Sequence, residues 1–332
     1  MGDNTLLILI VLGALWYDFV NGFHDAANAI ATSISTHALS ARRALLLART
    51  LNFMGALSHT AVAYTIGKGV VQSEIITLPM LLAALLGAIG WGYLTWWLGL
   101  PSSSTHALVG GLVGTALVAT GFQWSVLVWV GMRKILLAMV LSPLLGLVGG
   151  VLFITLFSWS ARKTPYWKSA KFFKRLQIVS ASVVSFTHGM NDAQNAMGII
   201  TIALVTQGLI SEFRVPLWVR VASALAMGLG TSVGGWRIIR TMGRKMVRLH
   251  KPIDGCAAET AGGAVIYFAS IVGAPISTSH VITTAIMGTG VARDYRSLRF
   301  RVIKQIALAW MTTIPGAAIM GGLLYLIIRL FV

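Results

Sequence analysis

The octad Gly22-Phe23-His24-Asp25-Ala26-Ala27-Asn28-Ala29 sets an acid, an imidazole and an amide inside a long apolar segment. It recurs 167 positions later as Gly189-Met190-Asn191-Asp192-Ala193-Gln194-Asn195-Ala196. A charged side chain in hydrocarbon costs about 3 kcal/mol or more unless it faces a partner or a water-filled cavity. Two copies of such an unfavourable pattern therefore indicate a functional site centred on Asp25 and Asp192.

The rest of the chain has the composition of an integral membrane protein. Of its 332 residues, 56% are hydrophobic and 11% are charged, whereas soluble domains carry about 25% charged residues. Apolar runs of about 20 residues recur, which is enough to cross a hydrocarbon core of about 30 Å, and strand-like alternation is missing. The sequence predicts an all-α polytopic membrane protein.

The formal charge of +17 does not indicate a nucleic-acid partner. Lys and Arg cluster between hydrophobic runs, as expected for loops kept in the cytoplasm. The large basic clusters lie at 42–49, 162–175, 237–251 and 293–304. With the N-terminus outside, all four clusters fall on the cytoplasmic side. We expect a multi-pass protein of the cell (inner) membrane, with its N- and C-termini outside.

A second repeated motif is rich in hydroxyl groups. Gly99-Leu100-Pro101-Ser102-Ser103-Ser104-Thr105-His106 matches Gly273-Ala274-Pro275-Ile276-Ser277-Thr278-Ser279-His280 as G-x-P-x-S-[ST]-[ST]-H. Proline suits the start of a helix, and serine can cap its free amides. Residues 101–121 are therefore predicted to form a short or re-entrant helix, with a counterpart in the second half.

These motifs, with a Pro and Gly-Gly landmark after each, recur in one order at offsets of 167, 174 and 172 residues. They predict two transmembrane repeats, 1–160 and 178–332, joined by a basic cytoplasmic linker, 161–177. The expected spans, besides the two hydroxyl segments, are 6–34, 44–66, 77–98, 136–158, 178–206, 217–236, 257–274 and 305–328. With an odd number of spans, about five, in each half, the second repeat has the opposite orientation in the membrane. Broken or re-entrant helices would then meet at the midplane, as in many secondary transporters. The first span is long enough to require tilt or local unwinding.

The repeated residue types suggest a combined anion and cation site. Hydroxyls beside helix N-termini favour a phosphate-like oxyanion, and the candidates are Ser103, Ser104, Thr105, Ser277, Thr278 and Ser279. Two carboxylates would repel that anion, because like charges about 4 Å apart repel by about 4 kcal/mol at an effective dielectric constant near 20. A cation must therefore accompany it. Either Na⁺ held by Asp25, Asn28, Asp192 and Asn195, or protons on the acids or on His24, would serve.

Simpler interpretations exist for each feature. Ser and Thr in membrane helices often bond back to their own backbone, and Asn or Asp beside Gly can be turn chemistry. His106 and His280 could be ligands, pH sensors or packing residues, and we favour an orienting role. The Gly-rich spans first of all indicate close helix packing.

Together, the two octads and the two Pro-x-Ser-[Ser/Thr]-[Ser/Thr]-His segments resemble the inorganic phosphate transporter (PiT) family over essentially the whole chain. The resemblance implies an inverted-repeat symporter that forms a homodimer. It also implies that Asp25, Asn28, Asp192 and Asn195 bind the cation and that the hydroxyl segments bind phosphate. His24 replaces the usual Asn of the signature, whereas Asn191 keeps it. This resembles bacterial low-affinity members that carry metal–phosphate with protons.

We therefore expect a secondary active symporter that imports inorganic phosphate, either free or as a metal–phosphate complex, by alternating access in the lipid bilayer. No cofactor is expected beyond Na⁺ or H⁺ as the coupling ion. No phosphate-binding loop of the G-x-x-x-x-G-K-[ST] type occurs, and we do not expect an enzyme. A symporter of sulfate or another tetrahedral oxyanion is the nearest alternative. A passive anion channel or a phosphate sensor is the alternative of another class.

Overall fold

The structure is a computed structural model that describes residues 2–247, 249 and 251–331. This part of the chain is helical, and its one β-type pairing is an isolated bridge between Val71 and Leu127. The helices are α1 (Asp3–Ser35), α2 (Ala41–Ser58), α3 (Ala61–Lys68), α4 (Leu78–Leu98), α5 (Ser104–Ala119), α6 (Trp129–Ala161), α7 (Tyr166–Asp192), α8 (Gln194–Thr206), α9 (Leu217–Val233), α10 (Trp236–Arg240), α11 (Pro252–Ile271), α12 (Thr278–Asp294) and α13 (Phe300–Ile328). A π-helical turn, Thr241–Met246, continues α10.

Four of the described helices are long and apolar enough to cross a membrane on their own, namely α1, α4, α6 and α13. A fifth span results if α9 and the segment Trp236–Met246 are counted together, with a bend of 57° between them. Helix α5 is apolar but shorter, with 16 residues. The chain is a multi-pass helical membrane protein, and the count of about five spans in each half stays a prediction.

The second helix of each half is broken, so the continuous span predicted at 44–66 was wrong, and the helix predicted at 217–236 ends at Val233, three residues early. The first divides into α2 and α3 around His59, whose backbone is extended. The second divides into α9 and α10 at Gly234, whose φ of +76° lies in the region that favours glycine. The two breaks lie at equivalent positions of the repeats.

The two octads differ in their backbone. Helix α1 passes through the first octad without the local unwinding that its length suggested, whereas the second octad is broken at Ala193, between α7 and α8. The side chain of Gln194 accounts for the break. Its Nε2 donates to the Met190 carbonyl at 2.6 Å, and its Oε1 accepts from the backbone N–H of Ala63 at 3.0 Å. The equivalent residue in the first octad is Ala27, which can make neither bond.

Other helix boundaries also differ from the prediction. The linker expected at 161–177 is helical from Tyr166 onward, because Lys and Arg are good helix formers and Pro165 suits the residue before the first turn. Because α7 begins at Tyr166, only a short connection separates it from α6. Helix α5 also differs from the prediction, since it begins at Ser104 and not at Pro101, which lies three residues earlier.

Helices α1 and α7, which carry the two octads, run in opposite directions. Thr36, just after the end of α1, donates to the side chain of Gln177 in the first half of α7 at 2.8 Å. Asp25, earlier in α1, lies beside His188 and Asp192 at the end of α7. The later part of one helix thus meets the earlier part of the other, and the octads meet in the interior.

Equivalent helices of the two halves make equivalent contacts. Helix α1 packs on α9 as α7 packs on α2, and α5 packs on α13 as α12 packs on α6. Glycines allow these close approaches, since a Cβ at Gly22 would collide with the carbonyl of Met227, and one at Gly189 with the carbonyl of Asn52. The octad helix of each half therefore packs against the second helix of the other half.

Candidate functional site

The acids of the two octads form one buried cluster. Ligand atoms of Asp25, Asp192 and His188 all lie within 4.8 Å of one another, and each of these residues is at most 1% exposed. His188 Nε2 lies 3.3 Å from Asp192 Oδ2, and His24 Nδ1 lies 2.8 Å from Asp25 Oδ1. Each acid thus has an imidazole beside it, in an interior where an unpaired charge would be very costly.

His188 was missed by the sequence analysis. It immediately precedes the second octad, at the position that Asn21 occupies before the first. Its other ring nitrogen, Nδ1, lies 3.1 Å from Oδ1 of Asn52 on α2. One turn of helix separates His188 from Asp192, and that i, i+4 spacing was the signal that could have identified it.

The hydroxyl-rich segments 99–106 and 273–280, here named the hairpin segments, both donate hydrogen bonds to the octad acids. Ser279 donates to Asp25 Oδ1 at 2.9 Å, and Thr278 donates to Asp192 Oδ2 at 2.9 Å. Ser104 donates to Asp25 Oδ2 at 3.2 Å and to Asn21 Oδ1 at 2.8 Å. The second hairpin therefore contacts the acids of both halves.

The amides of the octads complete this network. Asn28 Nδ2 donates to Ser279 at 2.8 Å, and Asn195 Nδ2 donates to Thr105 at 2.9 Å. Asn28 and Asn195 therefore each contact the hairpin segment of the opposite half. In the described part of the chain, Oδ1 of both amides and Oδ1 of Asp192 are buried without a hydrogen-bond partner. Buried oxygens that lack donors are the ligand type that a hard cation such as Na⁺ requires, so these residues fit the predicted ion.

Ser103 and Ser277 have a structural function in the helix starts. Each is an N-cap whose hydroxyl oxygen accepts from the backbone N–H of His106 at 3.1 Å or of His280 at 3.2 Å. Helices α5 and α12 thus begin at the acid cluster, with their hydroxyl-bearing first turns against it. Such helix starts carry a partial positive charge that favours an anion.

The octads hold different side chains at the position before the acid. His24 Nε2 lies 3.2 Å from Thr95 Oγ1 on α4, and Asn191 Nδ2 donates to Ser270 Oγ on α11 at 2.9 Å. Thr95 and Ser270 hold equivalent places in the two halves, and the sequence analysis identified neither. His24 is thus held between Asp25 and Thr95 and lies within the site.

The ring nitrogens of His106 and His280 are buried and have no hydrogen-bond partner among the described residues. Their rings pack edge to face with centroids 5.1 Å apart, and the His280 ring lies 4.0 Å from that of Trp310. Both side chains are buried. Their contact joins the first turns of α5 and α12, an arrangement compatible with the orienting role that we favoured.

A further buried acid, Glu259, lies in a separate cluster that joins α1, α7 and α11. Four side chains donate to it: Thr32 at 2.5 Å, Ser33 at 2.7 Å, Ser180 at 2.5 Å and Gln177 at 3.1 Å. This cluster could not be predicted from the repeats, because Gln177 fell in the predicted linker and Glu259 has no counterpart in the first half. Ala84 lies at the corresponding place.

The family model of the phosphate transporter family matches residues 21–321, which is most of the chain and includes both octads and both hairpin segments. Among curated proteins, a probable low-affinity inorganic phosphate transporter of Bacillus subtilis is 44% identical over 98% of each chain. A protein of the same description from Rhizobium meliloti is 45% identical over 96% of each chain.

A solved structure described as the sodium-dependent phosphate transporter has the same fold. Its TM-score is 0.89 at 25% sequence identity, and the match covers 99% of this chain and 100% of the other. Sequence, site residues and fold therefore lead to one assignment. The chain belongs to the phosphate transporter family.

Proposed function

We propose that the protein is a secondary active transporter that brings inorganic phosphate into the cytoplasm together with a cation, by alternating access. The observation that carries this proposal is the pairing of hairpin hydroxyls with octad acids, as in the bond from Ser279 to Asp25. An arriving oxyanion would take these donors, and the acids would then need a cation. The two ligands are therefore expected to bind together.

The phosphate site is proposed to consist of the donors at the starts of α5 and α12. These are Ser103, Ser104, Thr105, Ser277, Thr278 and Ser279. No Lys or Arg contacts this group in the described part of the chain, and neutral donors would hold the anion weakly enough for release. Several hydrogen bonds from neutral donors to the charged anion, each contributing about 1.5–3 kcal/mol, suit a carrier that must unload its substrate.

The cation site is proposed to use carboxylate and amide oxygens of the octads, from Asp25, Asn28, Asp192 and Asn195. Their orphaned oxygens support this assignment. His188 sits between the acids in this structure, and we add it as a group that shares their charge. His24 and Asn191 are proposed to couple the site to α4 and α11.

The coupling ion is proposed to be Na⁺ or H⁺. The name of the structural relative, a sodium-dependent transporter, supports Na⁺. The imidazole of His24 beside Asp25 supports a proton, because histidine can change its charge within the physiological pH range. A metal–phosphate complex as the transported species remains part of the same proposal.

The architecture is proposed to be two inverted repeats, 1–160 and 178–332, joined at 161–177, with about five spans each. The opposite directions of α1 and α7 and the equivalent contacts of the hairpins support the inversion. We further propose a homodimer in the inner membrane, with both termini outside and the basic clusters in the cytoplasm.

Proteoliposomes loaded without phosphate test this function. Under an inward Na⁺ gradient or an inward H⁺ gradient, imposed separately, labelled phosphate should accumulate above its external concentration. Equilibration without accumulation would indicate a channel. Uptake of labelled sulfate instead of phosphate would contradict the assigned substrate.

A further inference from the structure

Besides Asp25 of the first octad, helix α1 carries a second buried acid, Asp18. It lies about two turns before Asp25 and is 0% exposed. Neither of its carboxylate oxygens has a hydrogen-bond partner among the described residues. A carboxylate anion without donors or a counter-ion is strongly unfavourable in such an interior, so the neutral acid is the form that these surroundings accommodate.

Ser223 on α9 faces this carboxyl group. It is also 0% exposed, and its Oγ has no hydrogen-bond partner among the described residues. Helices α1 and α9 are parallel here, because Gly22, one turn after Asp18, packs on Met227, one turn after Ser223. The Ser223 hydroxyl can donate to the carboxylate or accept from the protonated carboxyl group, so this pair accommodates both protonation states of Asp18.

No cation is recorded beside Asp18 among the residues that the structure describes. Asp192 of α7 and Tyr17 of α1 interact with it electrostatically, and neither is a cation. Helices α4 and α8 contain no charged side chain. Arg220 of α9 is directed toward α2, where it donates to the carbonyl of Leu57.

The arrangement is specific to the first half. The residue equivalent to Asp18 in the second half is Ser185, whose hydroxyl donates to its own helix at the Ala181 carbonyl, at 2.7 Å. The residue equivalent to Ser223 is Ala48. Asp18 therefore adds one titratable acid to one side of the site, without an acidic counterpart in the other half.

We propose that Asp18 is a proton-binding site that couples proton movement to the transport cycle. Resting on the proposed function, this adds a coupling proton apart from the cation at Asp25 and Asp192. In the proposed resting state Asp18 carries the proton, and its neutral carboxyl group faces the Ser223 hydroxyl. In the cycle, the carboxylate takes one proton from the outer solution and releases one to the cytoplasm, so charge and atoms balance.

A proton fits better than a metal ion. Asp18 and Ser223 offer few oxygens, whereas Na⁺ or another hard cation takes about six. The small cavity alongside α1 is lined by residues that include Tyr17, Asn21 and His24, and Asp18 does not line it. Protonation also removes a negative charge near Asp192, so binding of phosphate and of this proton should each favour the other.

The test uses the full chain in proteoliposomes with labelled inorganic phosphate. Wild type is compared with Asp18→Asn, the neutral isostere of the protonated acid, and with Ser185→Ala as the matched control. Two quantities are measured. One is accumulation driven by a pH gradient without a Na⁺ gradient. The other is phosphate exchange at equal pH on both sides, which needs no net proton movement.

A pH gradient of about one unit should raise wild-type accumulation by up to about tenfold for each coupled proton. Asp18→Asn should lose the part of the pH-driven accumulation that depends on the proton at residue 18, while its phosphate exchange stays within about twofold of wild type. Ser185→Ala should keep both the accumulation and the exchange of the wild type. The proposal would be overturned if Asp18→Asn accumulated phosphate as well as the wild type does. It would also be overturned if this variant lost phosphate exchange as well as accumulation.

Infrared spectroscopy supplies a measurement that does not depend on turnover. The carbonyl stretch of a protonated carboxyl group should be present in the wild type at neutral pH and reduced in Asp18→Asn, and identical spectra would overturn the proposal. If wild-type phosphate uptake responds to Na⁺ but not to pH, only this inference fails. If the wild type moves no phosphate under any gradient, the proposed function fails.

Discussion

Ser279, in the first turn of α12, donates a hydrogen bond of 2.9 Å to Oδ1 of Asp25 on α1. The two residues lie 254 positions apart and belong to different halves of the chain. The hydroxyl proposed for the anion thus binds the acid proposed for the cation. The single hydroxyl proton of Ser279 cannot be donated fully to both Asp25 and the anion. Anion binding is therefore linked directly to cation binding at Asp25.

The charge of each octad acid should be required for coupled uptake. We predict that Asp25→Asn and Asp192→Asn each lower cation-driven phosphate accumulation by about tenfold or more, a loss within the range of ordinary coupling energies. Asn keeps the acceptor for Ser279 or Thr278 but removes the charge. Accumulation in proteoliposomes measures the effect. Asp294→Asn is the control, because Asp294 is exposed and caps a surface turn. Parental accumulation in either octad variant would exclude that acid from coupling.

Removal of a hairpin hydroxyl should weaken phosphate binding. We expect Ser279→Ala to raise the Kd for phosphate by about 10- to 100-fold, since a hydrogen bond to a charged group contributes about 1.5–3 kcal/mol. Titration of the purified protein with phosphate measures this. Ser182→Ala is the matched control, because the Ser182 hydroxyl bonds only to its own helix, at the Ile178 carbonyl. Equal affinities for the two variants would contradict the assigned anion site.

The imidazole of His24 should influence how uptake depends on pH. We predict that His24→Asn, which gives the first octad the residue of the second, retains phosphate uptake but flattens its pH profile between about pH 5 and 8, where histidine changes charge. The shorter amide cannot contact Asp25 and Thr95 in the same way. Initial uptake rates across this range measure the profile. An unchanged profile would remove His24 from proton handling.

The contact between α1 and α9 should be sensitive to one methyl group. In Gly22→Ala, the new Cβ would collide with the Met227 carbonyl and lie 2.9 Å from the Thr231 nitrogen. Overpacking of this kind costs about 1–3 kcal/mol. Gly13→Ala on the same helix is the control, because the nearest atom would be a flexible Leu85 methyl at 3.7 Å. Thermal unfolding in detergent should separate the two, and equal midpoints would contradict the packing.

Much of the architecture could be predicted because the chain repeats itself. The matched octads and hairpin segments led to the residues that meet in the interior, such as Asp25 and Ser279. The helix breaks could not be read in the same way. The break at Ala193 depends on Gln194 reaching the Ala63 amide, a contact between residues far apart in sequence.

The missed site residues share a physical cause. His188 lies outside the octad pattern and belongs to the site only because α7 runs against α1. Thr95 and Ser270 appear in sequence as ordinary helix hydroxyls, and only the packing of α4 on α1 and of α11 on α7 brings them to His24 and Asn191. The local sequence pattern therefore identified the repeated site residues, whereas the residues that contact them are determined by tertiary packing.

The central claim is that phosphate and the cation bind in a mutually dependent way through the contact of Ser279 with Asp25. The most direct test is the affinity of the purified protein for phosphate, measured with and without Na⁺ and at two pH values. The account predicts that phosphate binds at least about fivefold more tightly when Na⁺ is present or the pH is lowered, and that Asp25→Asn reduces this dependence. A phosphate affinity independent of both cations in the wild type would contradict it.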